Sequence, residues 1–229
     1  MVKHTIATKA LARFGQLLDS SFPSGAFVHS FGLEPHIALG QVTTIGELQE
    51  FLQKLIMHQY QGLEFVFISR VYGALQKESL PLLIREDRNF TAMASYAFAK
   101  ASCDIGRNYT KQIAPLSKEL LSQDYFNAVQ SGVTSGNELA VLACYAFELG
   151  IEKELFTLLW CKKSLSNIAA AALKISRIQP SQIQQMLFGF DDTLEVYIEQ
   201  QSCHYSNFNP LFEEVIYQHQ NLEPKLFVT

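Results

Sequence analysis

His29, Glu34 and His36 fall within eight residues of one another, and each is a side chain that can ligate a metal or carry a proton. The pattern His-x4-Glu-x-His lacks the two histidines at i and i+4 that put both imidazoles on one helical face. Pro35 also bends the chain between Glu34 and His36 unless it sits in the first turn of a helix. Hydrogen bonds that hold the segment or meet a partner suit these residues better than a dedicated metal site. Cys203-His204 is the other suggestive pair. Neighbouring side chains on a helix diverge by about 100°, and no acid is evident to orient the imidazole, so the pair reads as inert. Ser24 precedes Gly25 without the strand–turn–helix setting of a nucleophile elbow, and no G-x-x-x-x-G-K-[ST] stretch is present to cradle phosphates. These residues point to a helical binding or adaptor protein and away from an enzyme. A metal-dependent helical enzyme using His29, Glu34 and His36 is the competing reading, and a generic helical adaptor is another.

The segment Phe22–Glu34 has a conformational logic of its own. Pro23 fixes its own φ and holds Phe22 extended, Gly25 admits backbone angles that a β-carbon resists, and Ser30 stands where it can cap a helix beginning near Phe31. Phe27, Phe31 and Leu33 are expected to anchor this loop, leaving His29, Glu34 and His36 as polar groups that core packing alone does not require. Binding residues concentrate in loops held on a rigid scaffold.

That scaffold must come from the rest of the chain. With 229 residues, 48% of them apolar and only 17% charged, the chain can bury a large core and does not have the composition of a disordered one. Low charge, a mean hydropathy slightly above zero and 17 Phe leave apolar surface for another subunit or partner to cover. The net charge is −4, and residues 178–229 carry seven acids against Lys225 alone. No basic run could follow a line of phosphates, which argues against nucleic acid as a partner. Cys103, Cys144, Cys161 and Cys203 form no C-x-x-C pair, so they read as buried free thiols in a reducing cytoplasm. No apolar run approaches the roughly 20 residues that cross a bilayer, so no membrane is expected. Lys3, Lys9 and Arg13, with no acid in the first eighteen residues, imitate a targeting helix, but Leu11, Phe14, Leu17 and Leu18 form an ordinary core-facing stripe.

Apolar residues recur at helical spacing nearly throughout. Ile45, Leu48, Phe51, Leu52, Leu55, Ile56 and Tyr60 predict a helix over 44–60, opened by a capping box of Thr44 and Glu47. Phe65, Ile68, Tyr72 and Leu75 predict a second helix to about Lys77, with Val66, Phe67 and Val71 widening its apolar face as in a buried central helix. After a bend at Pro81, one long helix is expected from about Arg88 to Gln112, with Gly106 serving close packing. Then come a short helix Leu116–Ser122, a loop Ser131–Gly136, and an antiparallel pair over Gly136–Leu149 and Glu152–Lys174. Further helices are expected from Pro180 to Leu187, from Asp191, and over Pro210–Gln220, before Pro224 converts the end into an extended tail. Strand-period alternation is scarce. The fold expected is all-α, a compact single-domain helical bundle of about ten helices.

The stretch Pro23-Ser24-Gly25-Ala26-Phe27-Val28-His29-Ser30-Phe31-Gly32-Leu33-Glu34 resembles the signature P-x-G-x-F-x-[YH]-S-x-G-L-E of the UreF family of urease accessory proteins. Pro23, Gly25, Phe27, His29, Ser30, Gly32, Leu33 and Glu34 all match it. An Ala-Ser before Gly106-Arg107, the Gly136–Gly150 helix and the alanine-rich Ala169–Lys174 segment extend the likeness. At the end, His219, Leu226 and Phe227, with Thr229 in place of a serine, are similar to the family's closing H-E-T-Q-Y-S-R-L-F-x-S. The chain departs from the family at Arg177-Ile178-Gln179-Pro180, where P-L-G-Q is common, and at Glu223-Pro224-Lys225 in place of Y-S-R.

The resemblance implies a nonenzymatic, cytoplasmic, all-helical chaperone that forms a homodimer and has no cofactor of its own. Such a protein joins a UreD/UreH-type accessory protein and recruits the GTPase UreG to urease apoprotein, into which nickel is inserted. It further implies partner-binding roles for Pro23, Gly25, Phe27, His29, Ser30, Gly32 and Glu34 in the loop. In the tail it implies them for His219, Leu226, Phe227 and Thr229. The division that follows is a UreF-like helical domain over 1–217 and a partner-binding tail over 218–229 that orders when the UreD/UreH-type partner binds.

Overall fold

Eleven α-helices carry most of the described residues of this computed structural model, which are 8–200, 204–206, 214–215 and 217–228, and no strand occurs among them. In chain order they are α1 (Thr8–Leu18), α2 (Leu33–Ala38), α3 (Ile45–Leu55), α4 (Glu64–Gln76), α5 (Leu80–Met93) and α6 (Tyr96–Ile113). There follow α7 (Leu120–Gln130), α8 (Glu138–Glu148), α9 (Lys153–Ile175), α10 (Pro180–Phe188) and α11 (Asp191–Glu199). Short 3-10 turns lie at Ala26–Val28, Ala114–Leu116 and His219–Asn221, and a π-turn, Ile56–Tyr60, continues α3. The all-α expectation holds.

Local chemistry accounts for several boundaries. The Glu47 N–H donates to Thr44 Oγ1 at 3.3 Å, while Glu47 Oε2 accepts from the N–H groups of Thr43 at 2.8 Å and Thr44 at 2.9 Å, which is the predicted capping box. These bonds, from Thr43 first, pull the Glu47 carboxyl down to about 2. Pro81 stands in the first turn of α5, where its missing N–H leaves no bond unmade, so it starts a helix instead of bending one.

Other boundaries differ from expectation. The long helix Arg88–Gln112 is in fact two, broken where Ala94 and Ser95 adopt extended ψ of 150° and 147°. No glycine or proline marks the break; it lets α5 pack on α4 and α7 while α6 packs on α8. The short helix at Leu116–Ser122 is a 3-10 turn ending at Leu116 followed by α7 from Leu120. The helix expected over Pro210–Gln220 lies largely outside the described residues, of which 214, 215, 217 and 218 are helical, and Cys203 lies outside them too.

The core centres on α4 and α8, both buried along nearly their whole length, and on the 23-residue α9. α1, α2, α10 and α11 all pack on α9. Cys103, Cys144 and Cys161 are buried free thiols within this body. Gly106 is where α6 meets the loop preceding α8: a β-carbon there would lie 2.0 Å from the Gly136 carbonyl oxygen. The same loop is pinned by Asp87 of α5, fully buried, whose carboxylate accepts from Thr134 Oγ1 at 2.6 Å and from the N–H groups of Gly136 at 2.8 Å and Asn137 at 3.0 Å. The Asn137 side chain adds a fourth donor to it at 2.6 Å. Beside it, Glu138 and Lys163 form a buried ion pair, with Lys163 5.5 Å from the centre of the Tyr109 ring.

Candidate functional site

The sequence places the loop 22–34 and the tail 218–229 at opposite ends of the chain, and the structure joins them. The loop enters by Phe22, stacked on Tyr109 with ring centres 5.2 Å apart, and by the Asn108 amide, which donates to the Ser24 carbonyl at 3.1 Å. Gly25 and Gly32 hold positive φ of 81° and 85°, and Phe31 between them takes 49°, a region that a β-carbon resists. Ser30 is buried, and its Oγ accepts from the Glu34 N–H at 3.3 Å. It is not the cap expected of it, because α2 begins at Leu33, not near Phe31, and its N-cap position is Gly32 with no side-chain cap; Ser30 reaches the first turn from two residues further back.

That turn aims Glu34 at the tail. The Leu226 N–H donates to Glu34 Oε1 at 2.7 Å, and the Phe227 N–H to Oε2 at 3.2 Å. His219 Nε2 is 2.9 Å from the same Oε2; a carboxylate oxygen only accepts, so the imidazole donates there. Glu34 and His219 are both buried. One bond away, the Val228 N–H donates to the Val28 carbonyl at 2.8 Å. Lys174, at the C-terminal end of α9, completes the junction with its ammonium 3.3 Å from the centre of the Phe27 ring and 4.9 Å from that of Phe227. The result is a clasp in which one carboxylate gathers three donors from the tail.

The predicted site residues divide cleanly. Glu34, His219, Leu226 and Phe227 meet directly; Gly25, Ser30 and Gly32 shape the turn; Pro23 is exposed at its entrance. Phe27 corrects an expectation, because it is 55% exposed and does not anchor the loop. Leu33, fully buried, does, with Phe31 packed 5.9 Å from Phe98. Around the clasp Val28 (47%), Leu226 (61%) and Val228 (60%) are exposed as well, giving an apolar rim. Thr229 lies outside the described residues.

His29 and His36 do not join Glu34 in a metal-binding set. Glu34 spends both oxygens on the tail, and His36 Nδ1 donates to the Gly32 carbonyl at 2.7 Å with its ring edge-on to Phe51. Burial pushes both imidazoles below the ordinary histidine range; the Gly32 carbonyl opposes this for His36, and the charge of Asp104 opposes it for His29. No group of three or more His, Cys, Asp or Glu among the described residues is placed to hold a metal ion. Sequence reasoning missed Lys174, Val28 and Val228. Lys174 had a weak signal, since it closes the alanine-rich stretch, but nothing local links it to Phe27 or Phe227.

Comparison with known proteins places the helical body. A family model described as UreF matches residues 42–191, about two thirds of the chain. The chain belongs to the UreF family. A protein named Urease accessory protein UreF from Streptococcus thermophilus is 28% identical over 140 residues, covering 59% of this chain and 58% of that relative. One of the same name from Bacillus sp. (strain TB-90) is 25% identical over 181 residues, 79% of this chain and 80% of the relative. Against the Streptococcus relative the chain spans less than two thirds of its partner's length. The matched residues 42–191 hold α3 to α10, and the loop and tail, which carry the family-like residues named above, lie on either side of them.

Proposed function

We propose that the chain is a nonenzymatic urease accessory protein whose clasp region is its docking surface. In this reading it joins a UreD/UreH-type accessory protein, recruits the GTPase UreG to urease apoprotein for nickel insertion, works as a homodimer and is cytoplasmic. Family membership supports the urease connection, and one observation carries the docking assignment: Phe27, Val28, Leu226 and Val228 form an exposed apolar rim around a buried polar clasp. Apolar side chains on a polar anchor are what a partner surface buries, because the desolvated rim contributes affinity while the anchor holds its shape. Residues 218–229 then act as a partner-binding tail seated on Glu34. No helix of the described residues is long and apolar enough to cross a membrane.

Co-purification with UreD/UreH-like and UreG-like proteins tests this, together with restoration of urease activity in cells lacking the chain. Truncation after Gln218 is expected to abolish capture of the UreD/UreH-like protein while leaving the helical body folded; unchanged capture would sink the tail assignment. Gly32→Val forces a β-branched residue to a φ of 85° and should disturb the loop, weakening dimerisation or capture. If both survive it, the loop is not part of the surface.

A further inference from the structure

Against Phe31 of the loop lies a cavity of about 40 Å³ lined also by Phe98, Gln59, Glu64, Trp160 and Ser164. Its floor is the π-turn Ile56–Tyr60, which carries Gln59 and Tyr60 inward; π-turns are uncommon and tend to occur at functional positions. Two buried polar atoms on lining residues have no hydrogen-bond partner among the described residues, Glu64 Oε2 and Trp160 Nε1. Glu64 is not simply stranded, because the Gln59 amide donates to its other oxygen at 2.7 Å.

The donor inventory narrows what can sit there. An indole N–H only donates, so whatever meets Trp160 must accept. A bare cation cannot accept, and an anion would face Glu64 and Glu138 across a low-dielectric space. The volume admits one water and little more. A water can accept from Trp160 while either accepting from a protonated Glu64 Oε2 or donating to an ionised one. We propose that this cavity is a built internal water site that joins the Glu64 carboxyl to the Trp160 indole and makes Glu64 a proton-binding group.

The electrostatics agree. Burial pushes the Glu64 carboxyl up to about 7, against the Gln59 bond, which lowers it. The other ionisable groups around it are few. Tyr60 on the π-turn and Cys161 on α9 are held far above their ordinary ranges by burial and stay neutral. Glu138 on α8 is paired with Lys163 on α9. From α5, α6 and the loop come Phe90, Ala94, Phe98, Ser102 and Phe31, none of them titratable. His29 packs 5.7 Å from Phe31 outside the cavity and titrates below the ordinary 6.5. The sign follows: between about 4.5 and about 7 the native protein keeps a proton that the unfolded chain has released, so stability falls as pH rises through that window and levels off above it.

Trp160 is the only tryptophan, so the site reports on itself. Its emission should change with pH around a midpoint near 7 in the wild type and lose that step in Glu64→Gln, the isostere of the protonated acid. Relative to Glu64→Gln, the wild-type folding equilibrium constant should fall on the order of a hundredfold across the window. Infrared spectra of the wild type need no variant: a protonated-carboxyl stretch at about pH 6 should vanish by about pH 9. A high-resolution crystal structure should place a water within hydrogen-bond distance of both Glu64 Oε2 and Trp160 Nε1. Parallel pH profiles in the two proteins, no protonated-carboxyl band, or an empty cavity would each overturn the proposal.

Discussion

Two buried carboxylates do similar work in different settings. Asp87 and Glu34 each gather several donors from a segment far along the chain: Asp87 from residues 47 to 50 positions away, Glu34 from residues 185 to 193 positions away. Asp87 is sealed in the body, and its partners lead straight into α8. The partners of Glu34 belong to the tail, and exposed Phe27, Val28, Leu226 and Val228 surround it. A carboxylate bound by several N–H groups is therefore not in itself a functional sign. What separates the two is whether the segment it holds is covered by the core or rimmed by apolar surface that still faces solvent.

Three substitutions test that separation. Asp87→Ala has the largest expected effect, since it strands the N–H groups of Gly136 and Asn137 in the core; urea denaturation should show a loss of about 3 kcal/mol or more, or no folded protein at all. Glu34→Ala should cost less globally, about 1–2 kcal/mol, because the tail can return to water. Hydrogen exchange should then accelerate at Leu226 and Phe227 while the amides of Gly136 and Asn137 keep their protection. Equal acceleration at both places would erase the distinction between clasp and core. The smallest effect is expected for Lys174→Ala, which removes the cation between two aromatic rings and should loosen the tail by about 0.5–1 kcal/mol, again read at Leu226 and Phe227. A larger cost for Lys174 than for Glu34 would mean that the rings, and not the carboxylate, hold the tail.

Much of the body was legible beforehand for reasons that can be named. The capping box at Thr44 and Glu47, the helix that Gly150 ends and the one that Pro180 starts each depend on groups within four residues of one another. The break at Ala94 was not legible, because alanine favours helix and only the separate packing of α5 and α6 demands it. Phe27 was misread for a related reason: an aromatic ring in an apolar chain is expected inside, and only the position of Lys174 gives it a reason to stay at the surface. Glu34 and His219 were both singled out as site residues from the sequence, on different segments and without any sign that they touch.

The sequence by itself determined the all-α fold, most helix limits, the turn-forming chemistry of the loop and the types of residue available for a site. These follow from bonds and backbone angles that act within a turn or two of the chain, where one-dimensional spacing is also spatial proximity. Only the tertiary structure decided that Glu34 receives the tail, that Asp87 locks the loop before α8, and that Glu64 and Trp160 share a cavity. Those pairings depend on how the helices fill space together, and the burial that gives each carboxylate its meaning exists only once they have packed.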